Sequence, residues 1–234
     1  MASAPSNADF KPALVIVDVQ EDFCPPNGAL AVQDGRTIAP TINRLLRLPF
    51  AARVATKDWH PRDHVSFASN HAAPDNVPFV TTVTIANPLN ASETQTTRLW
   101  PDHCIQGTPG AELIPELDQS RVTHVLEKGQ DRRVEMYSAF ADPFRSPTVA
   151  RSGLADLLRA ADVSDVFVVG LAMDYCVKFT ALDAVREGFR TVVVTEGTKP
   201  VDPSKWAEVQ QEMEAAGVGF VSVDGDEIKR VEQL

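Results

Sequence analysis

Six short apolar runs punctuate the chain, at Ala13 to Asp18, Arg53 to Asp58, His124 to Lys128, Val166 to Gly170, Thr191 to Thr195 and Gly219 to Val223. Runs this short, rich in Val and nearly continuous, predict strands buried on both faces of a parallel sheet, because half-solvated antiparallel strands would alternate. Between the later runs the period changes. Leu154, Leu157, Leu158 and Ala161 recur at helical spacing behind Ser152, a residue suited to capping. Val177, Thr180, Ala181, Ala184 and Val185 repeat the stripe before Gly188, and Trp206, Val209, Met213 and Ala216 do so before Gly217. Strand alternating with helix predicts an α/β fold with a doubly wound, six-stranded parallel sheet flanked by helices, a Rossmann-like three-layer arrangement.

One stretch breaks this rhythm. Asn70 to Arg98 is rich in Pro, Asn and Thr and shows no sustained period, so it is expected to be a long loop insertion at about 70–98. No composition shift marks a linker, and residues 1–234 read as a single domain.

Composition narrows the function classes. The 32 Asp and Glu outnumber the 22 Lys and Arg, and a net charge of −10 repels polyanions, so nucleic acid is not an expected partner. No apolar run reaches the roughly 18 residues needed to cross a bilayer, and Met1 to Phe10 lacks the pattern of a secretory signal. Three cysteines without a Cys-x-x-Cys pair fit a reducing compartment, and a cytoplasmic location is expected. No phosphate-cradling glycine loop appears, which argues against a nucleotide cofactor.

Ligands of open parallel sheets bind beyond the carboxyl ends of the strands, so the residues ending each run carry the chemistry to examine. Those ends supply Asp18, then Asp58 with His60, then Lys128, and the turn into Cys176. Cys176 follows a strand and opens a helix, where the dipole and free amides are expected to lower the thiol pKa. Cys24 and Cys104 are rival nucleophiles, but both lie in Pro-flanked stretches. A carboxylate and an ammonium beside a thiol suit acyl transfer; either alone reads as an ordinary ion pair. Asp58 and His60, two apart on an extended segment, point the same way, and Asp102, His103 and Cys104 all offer a third metal donor. His64, His71 and His124 are expected to be surface or packing residues.

These pieces occur in an ordered set: Val17-Asp18, Lys57-Asp58-Trp59-His60-Pro61, Ser66-Phe67-Ala68, Trp100-Pro101-Asp102-His103-Cys104, Lys128-Gly129, Tyr137-Ser138-Ala139-Phe140 and Gly170 to Val177. Together they closely resemble the nicotinamidases, which belong to the isochorismatase-like cysteine hydrolases, and the long 70–98 segment resembles the fungal, eukaryotic type. The resemblance implies Asp18 as general base and acid, Lys128 as its cationic partner and Cys176 as nucleophile. It implies Asp58, His60 and His103 as metal ligands, with Glu135 orienting water at the ion. Phe23, Trp100 and Tyr137 resemble the aromatic walls around a pyridine ring, and the amides of Ala172 and Cys176 resemble an oxyanion hole beside a cis Leu171–Ala172 peptide. The implied substrate is nicotinamide, with pyrazinamide an analogue, in NAD salvage. The implied cofactor is a divalent metal, zinc first, with iron and manganese also suited to one carboxylate and two imidazoles. A homo-oligomer is expected. The competing readings are a related amidase acting on a carbamoyl or ureido substrate and a non-catalytic metal-binding scaffold.

Overall fold

The computed structural model of the protein describes residues 10–234. All six apolar runs are strands: β1 (Pro12–Val17), β2 (Ala52–Asp58), β5 (His124–Lys128), β6 (Asp165–Leu171), β7 (Arg190–Lys199) and β8 (Gly219–Val221). They form one sheet in the order β5-β2-β1-β6-β7-β8, and every neighbouring pair is parallel. Side chains of β1 divide by parity, as the two-residue period of a strand requires. Leu14 and Ile16 enter one core with Ile42, Leu45, Ile228 and Val231, whereas Ala13, Val15 and Val17 enter another with Leu154, Leu158, Ala181 and Met213. Helices α1 (Ala39–Leu46) and α5 (Asp226–Glu232) therefore cover one face, and α2 (Leu154–Ala160), α3 (Lys178–Arg186) and α4 (Trp206–Ala215) cover the other.

Three local expectations are corrected. Gly153, with φ +85°, occupies the cap position of α2, although the Ser152 hydroxyl still accepts the Leu154 N–H at 3.1 Å. Strand β5 is not buried on both faces: it lies at the sheet edge and leaves His124, Val125 and Glu127 exposed. The 70–98 segment is not an unstructured loop but carries an antiparallel hairpin, β3 (Thr82–Asn87) with β4 (Asn90–Arg98). Its strands have mostly polar, solvated side chains, so no apolar face announces them. Thr, which favours the pleated backbone, supplies the cross-strand contact instead, with the Thr84 and Thr96 hydroxyls 3.0 Å apart. The Glu93 carboxylate accepts the Arg145 and Ser146 N–H groups and ties the hairpin to the body. Among the described residues, no helix is long and apolar enough to cross a membrane.

The chain runs outward from β1 through β2 to β5 and then crosses back to β6, β7 and β8. This reversal between β1 and β6 opens a crevice at the carboxyl ends of the strands, where open α/β sheets hold ligands. Asp18, Asp58, Lys128 and the turn after β6 all border it.

Candidate active site

Asp18 leaves β1 with φ +48°, which turns its carboxylate inward. The Thr56 hydroxyl donates to its Oδ1 at 2.7 Å, and the Asp18 N–H donates to the same hydroxyl at 3.2 Å. Lys128 ends β5 two strands away, and its Nζ lies 2.9 Å from Asp18 Oδ2 and 2.5 Å from Asp58 Oδ1. The same ammonium donates to the Met136 carbonyl at 3.1 Å and points at Cys176 Sγ at 3.6 Å. All four side chains are buried. Isolated charges in such a place cost several kcal/mol, about that order for each ion; here one cation serves two carboxylates and a thiol.

Burial pushes the Asp18 carboxyl up to about 6 despite Lys128, with Asp58 adding to the rise. Burial acts the same way on Asp58, but Lys128 and His60 outweigh it and hold that carboxyl well below the usual range. Lys128 stays charged, since Asp18 and Asp58 more than offset its desolvation. Cys176 departs from expectation: burial, reinforced by the two carboxylates, raises its thiol well above the ordinary value, and Lys128 only tempers this. Cys176 sits inside a π-helical turn, Met173–Val177, that precedes α3. The helix terminus therefore does not leave a thiolate at rest in the free site.

Beside this cluster, donor atoms of Asp58, His60 and His103 all lie within 4.8 Å of one another. The imidazoles are oriented from behind. His60 Nδ1 meets the Gly129 carbonyl at 2.8 Å and His103 Nδ1 meets the Pro101 carbonyl at 2.7 Å. Each Nδ1 donates to its carbonyl, so each Nε2 faces the group; without a metal, and despite burial, which lowers it, Asp58 holds the His60 imidazole above its ordinary value, and a bound cation would take the place of the proton on that nitrogen. His60 Nε2 is buried with no hydrogen-bond partner and lies 3.6 Å from Asp58 Oδ2. Two electron-rich atoms brought together in this way fit a shared cation, and one carboxylate with two neutral imidazoles is a donor set for a divalent metal. Gly129, with φ +67°, is required here: a Cβ would lie 2.4 Å from the His60 ring. Glu135 is buried at the edge of the group, and its Oε1 accepts the Met136 N–H at 2.9 Å.

Of the three candidates, the residue that the structure groups with Asp58 and His60 is His103. Asp102 is exposed and accepts the Ser69 hydroxyl. Cys104 is buried with its Sγ directed to the Gly110 carbonyl. Cys24 is buried in the apolar core, which pushes its thiol up to about 11. Of the other histidines, His64 is a buried packing residue whose ring lies 4.1 Å from that of His60.

Phe23, Trp100 and Tyr137 line a slot of about 30 Å³ that reaches Asp58, His103, Ala172 and Cys176. Leu30, Val32, Tyr175 and Val201 complete it and were not expected. Leu30, Val32 and Val201 come from loops without motif or period, so only the fold brings them there, whereas Tyr175 lies in the π-helical turn beside Cys176. Gln20 and Thr56 were also missed. The Gln20 side chain accepts the Asp58 N–H and donates to the Asp58 and Ala111 carbonyls, all at 2.8 Å, which fixes the end of β2. A polar residue two positions after Asp18 was the available signal. The Leu171–Ala172 peptide is cis, as the resemblance implied.

A three-layer α/β fold with a buried Asp-Lys-Cys cluster beside a carboxylate and two imidazoles defines a cysteine-hydrolase type of site. Residues 12–224 match the isochorismatase domain, and the chain belongs to that family. It is 39% identical over 210 residues to the nicotinamidase of Escherichia coli (strain K12), covering 88% of this chain and 92% of the relative. Among solved structures, the yeast nicotinamidase Pnc1p bound to the inhibitor nicotinaldehyde is 32% identical with a TM-score of 0.84, covering 90% of this chain and 99% of that one. The pyrazinamidase of Pyrococcus horikoshii in complex with zinc is 32% identical with a TM-score of 0.68, covering 91% and 99%.

Proposed function

We propose that this protein is a metal-dependent nicotinamidase, an amidohydrolase that converts nicotinamide to nicotinic acid and ammonia, with pyrazinamide as an alternative substrate, in the salvage of NAD. One observation carries the reading: a buried ammonium bridges Asp18, Asp58 and Cys176, and Asp58 also belongs to the donor group with His60 and His103. Nucleophile and ion site thus share a wall, as a substrate with a ring nitrogen and a carboxamide requires. Matching activities in relatives over most of the chain support the same substrate class. Asp58, His60 and His103 would hold the divalent metal, for which zinc is the expected ion given the zinc-bound relative; when bound it would supply a Lewis acid for the substrate ring and for water. The enzyme is expected to work in the cytoplasm as a homo-oligomer.

The chain's own residues perform the acyl transfer. Phe23, Trp100 and Tyr137 hold the flat ring and place its carboxamide beside Cys176. Asp18, with a carboxyl near 6, takes the thiol proton, and Lys128 steadies the nascent thiolate. Sulfur attacks the amide carbon, and the amides of Ala172 and Cys176 receive the oxyanion, an interaction worth roughly 3 to 4 kcal/mol in such sites. Asp18 returns the proton to the departing nitrogen and ammonia leaves. The same carboxylate then removes a proton from water as it attacks the thioester; the carbon–sulfur bond breaks and the thiol re-forms. Ammonia release from nicotinamide, measured for the metal-loaded protein, its chelated form and Cys176→Ala, tests the assignment. Activity is expected in the first alone, and no release by the metal-loaded protein would reject it.

A further inference from the structure

Among the described residues lining the ring slot, none comes from β3 or β4, yet two side chains of this segment hold its walls. Phe79 lies just before β3 with φ +65°, a left-handed conformation that is an outlier for a bulky aromatic residue. Such strain persists only where the surroundings over-determine it. Here the Phe79 N–H donates to the Leu99 carbonyl at 2.8 Å and the Leu99 N–H donates to the Thr81 carbonyl at 2.9 Å, which carries the hairpin pairing on to the residue before Trp100. The Phe79 ring stands edge-on to Trp100, with centroids 5.7 Å apart and planes at 87°. Phe79 is 45% exposed, so burial in a core does not account for a strained aromatic at this place; its contact with Trp100 does.

Thr97 serves the other wall. The remaining side chains of β4 are half-buried or exposed, and Thr97 is the buried one. Its Oγ1 lies 2.8 Å from Tyr137 Oη, which also accepts the Trp100 Nε1–H at 2.9 Å. Arg98, the next residue, sets its guanidinium 5.8 Å from the centre of the Trp100 ring. Thr97, Tyr137 and Trp100 are thus one chain of polar contacts, with Phe79 packed on its Trp100 end. We propose that Phe79 and Thr97 are positioning residues that fix Trp100 and Tyr137 in the attitude that receives the substrate ring. The inference deepens the nicotinamidase reading, on which it rests. Glu93 ties the hairpin to the Arg145 and Ser146 amides, so the supports are themselves held. Asp18 and Lys128 are fixed by other groups, among them Thr56, Asp58 and Met136, so Phe79 and Thr97 act on binding rather than on the chemical step. A wall released from its supports samples further rotamers and has to be ordered again when the ring enters, a cost that falls on affinity.

Phe79→Gly separates the ring from the backbone, because glycine adopts φ +65° without strain, so the loop keeps its course while the contact with Trp100 is lost. Thr97→Val keeps the branched shape that suits a strand and removes the hydroxyl. In each folded, metal-loaded variant, KM for nicotinamide and the calorimetric Kd for nicotinic acid should both rise about 3- to 10-fold, the scale of ordering one side chain on binding. Over the same variants kcat should stay within about twofold, as when binding shared by ground and transition states is removed. Phe79→Tyr and Thr97→Ser, which keep the aromatic ring and the hydroxyl, should restore both constants. Val80→Ala, at a neighbouring residue that is 73% exposed, should leave them unchanged. Unaltered KM and Kd in either folded variant, a loss confined to kcat, or an equal rise in Phe79→Tyr, Thr97→Ser or Val80→Ala overturns the proposal. Absence of ammonia release by the wild type would instead reject the nicotinamidase reading, so the two failures are distinguishable.

Discussion

Replacing Lys128 with Met keeps the length and packing of the side chain and removes only the charge that binds the cluster. The ammonium lies 2.5 Å from Asp58 Oδ1 and 2.9 Å from Asp18 Oδ2, and all three groups are shielded from solvent. Without it, the two carboxylates lose their shared counter-charge and only the His60 imidazole remains beside Asp58, and breaking a buried pair in this way costs roughly 3 to 5 kcal/mol. A domain of ordinary stability has about 5 to 15 kcal/mol in total, so the loss should be large but survivable. It should also depend on pH with a definite sign. Both carboxyls would rise above their unfolded values, so the folded state binds protons more readily; stability is present below the unfolded carboxylate range and is lost as pH rises through the raised folded values.

Urea unfolding of chelated wild type and Lys128→Met at pH 5 and pH 8 measures this, and the gap between them should widen at pH 8. Adding Asp18→Asn to Lys128→Met should recover part of the loss, because one of the two opposed charges is gone, a coupling that a double-mutant cycle reads directly. Ammonia release should fall at least a thousandfold in both variants, since Asp18 is then protonated or absent. Equal stability of Lys128→Met and wild type at pH 8, or activity within tenfold, would refute the claim that this ammonium neutralises the site.

Three further outcomes follow from the same geometry. Because the Asp18 carboxyl must be ionised to accept the thiol proton and lies near 6, kcat/KM should decline as pH drops through about 6, and a profile flat to pH 5 would count against Asp18 as the base. Gln20→Leu removes the three hydrogen bonds that set the Asp58 backbone, so metal retention against a competing chelator should weaken by about 10- to 100-fold, as for other groups that orient ligands; unchanged retention would make Gln20 merely structural. Burial raises the Cys176 thiol, so alkylation of the chelated protein by iodoacetamide should be slow at pH 7 and accelerate above pH 9, whereas rapid labelling at neutral pH would show a resting thiolate.

The sheet was legible because its strands are buried and apolar, and burial writes itself into composition: each of the six runs is a strand within a few residues of its expected ends. The hairpin was not, since β3 and β4 rest mainly on backbone bonds and polar contacts, which leave no apolar period. Helices α1 and α5 went unread, although α1 buries Ala39, Ile42, Leu45 and Leu46 at helical spacing. Within the site, residues at strand ends could be found from the general behaviour of parallel sheets. Asp18, Asp58, Lys128 and Cys176 are of this kind. Leu30, Val32 and Val201 could not, because their place in the slot depends on how distant loops fold together.

The thiol pKa shows where local reasoning gives way to the assembled site. A cysteine at the start of a helix suggests a stabilised thiolate, but helix-terminus effects are modest, typically below about 1 kcal/mol. Full burial is stronger, and the neighbouring carboxylates of Asp18 and Asp58 add to it. The site therefore keeps sulfur protonated and the nearby carboxylate ready to receive that proton. Transfer from Cys176 to Asp18 is uphill at rest, with one group raised above its ordinary value and the other near 6. It becomes favourable only when the sulfur's charge moves onto the substrate carbonyl, where the backbone amides meet it. Such an arrangement withholds reactivity from oxidants and stray electrophiles and spends it on a bound carboxamide, because the stabilising contacts exist only once the sulfur has begun to bond.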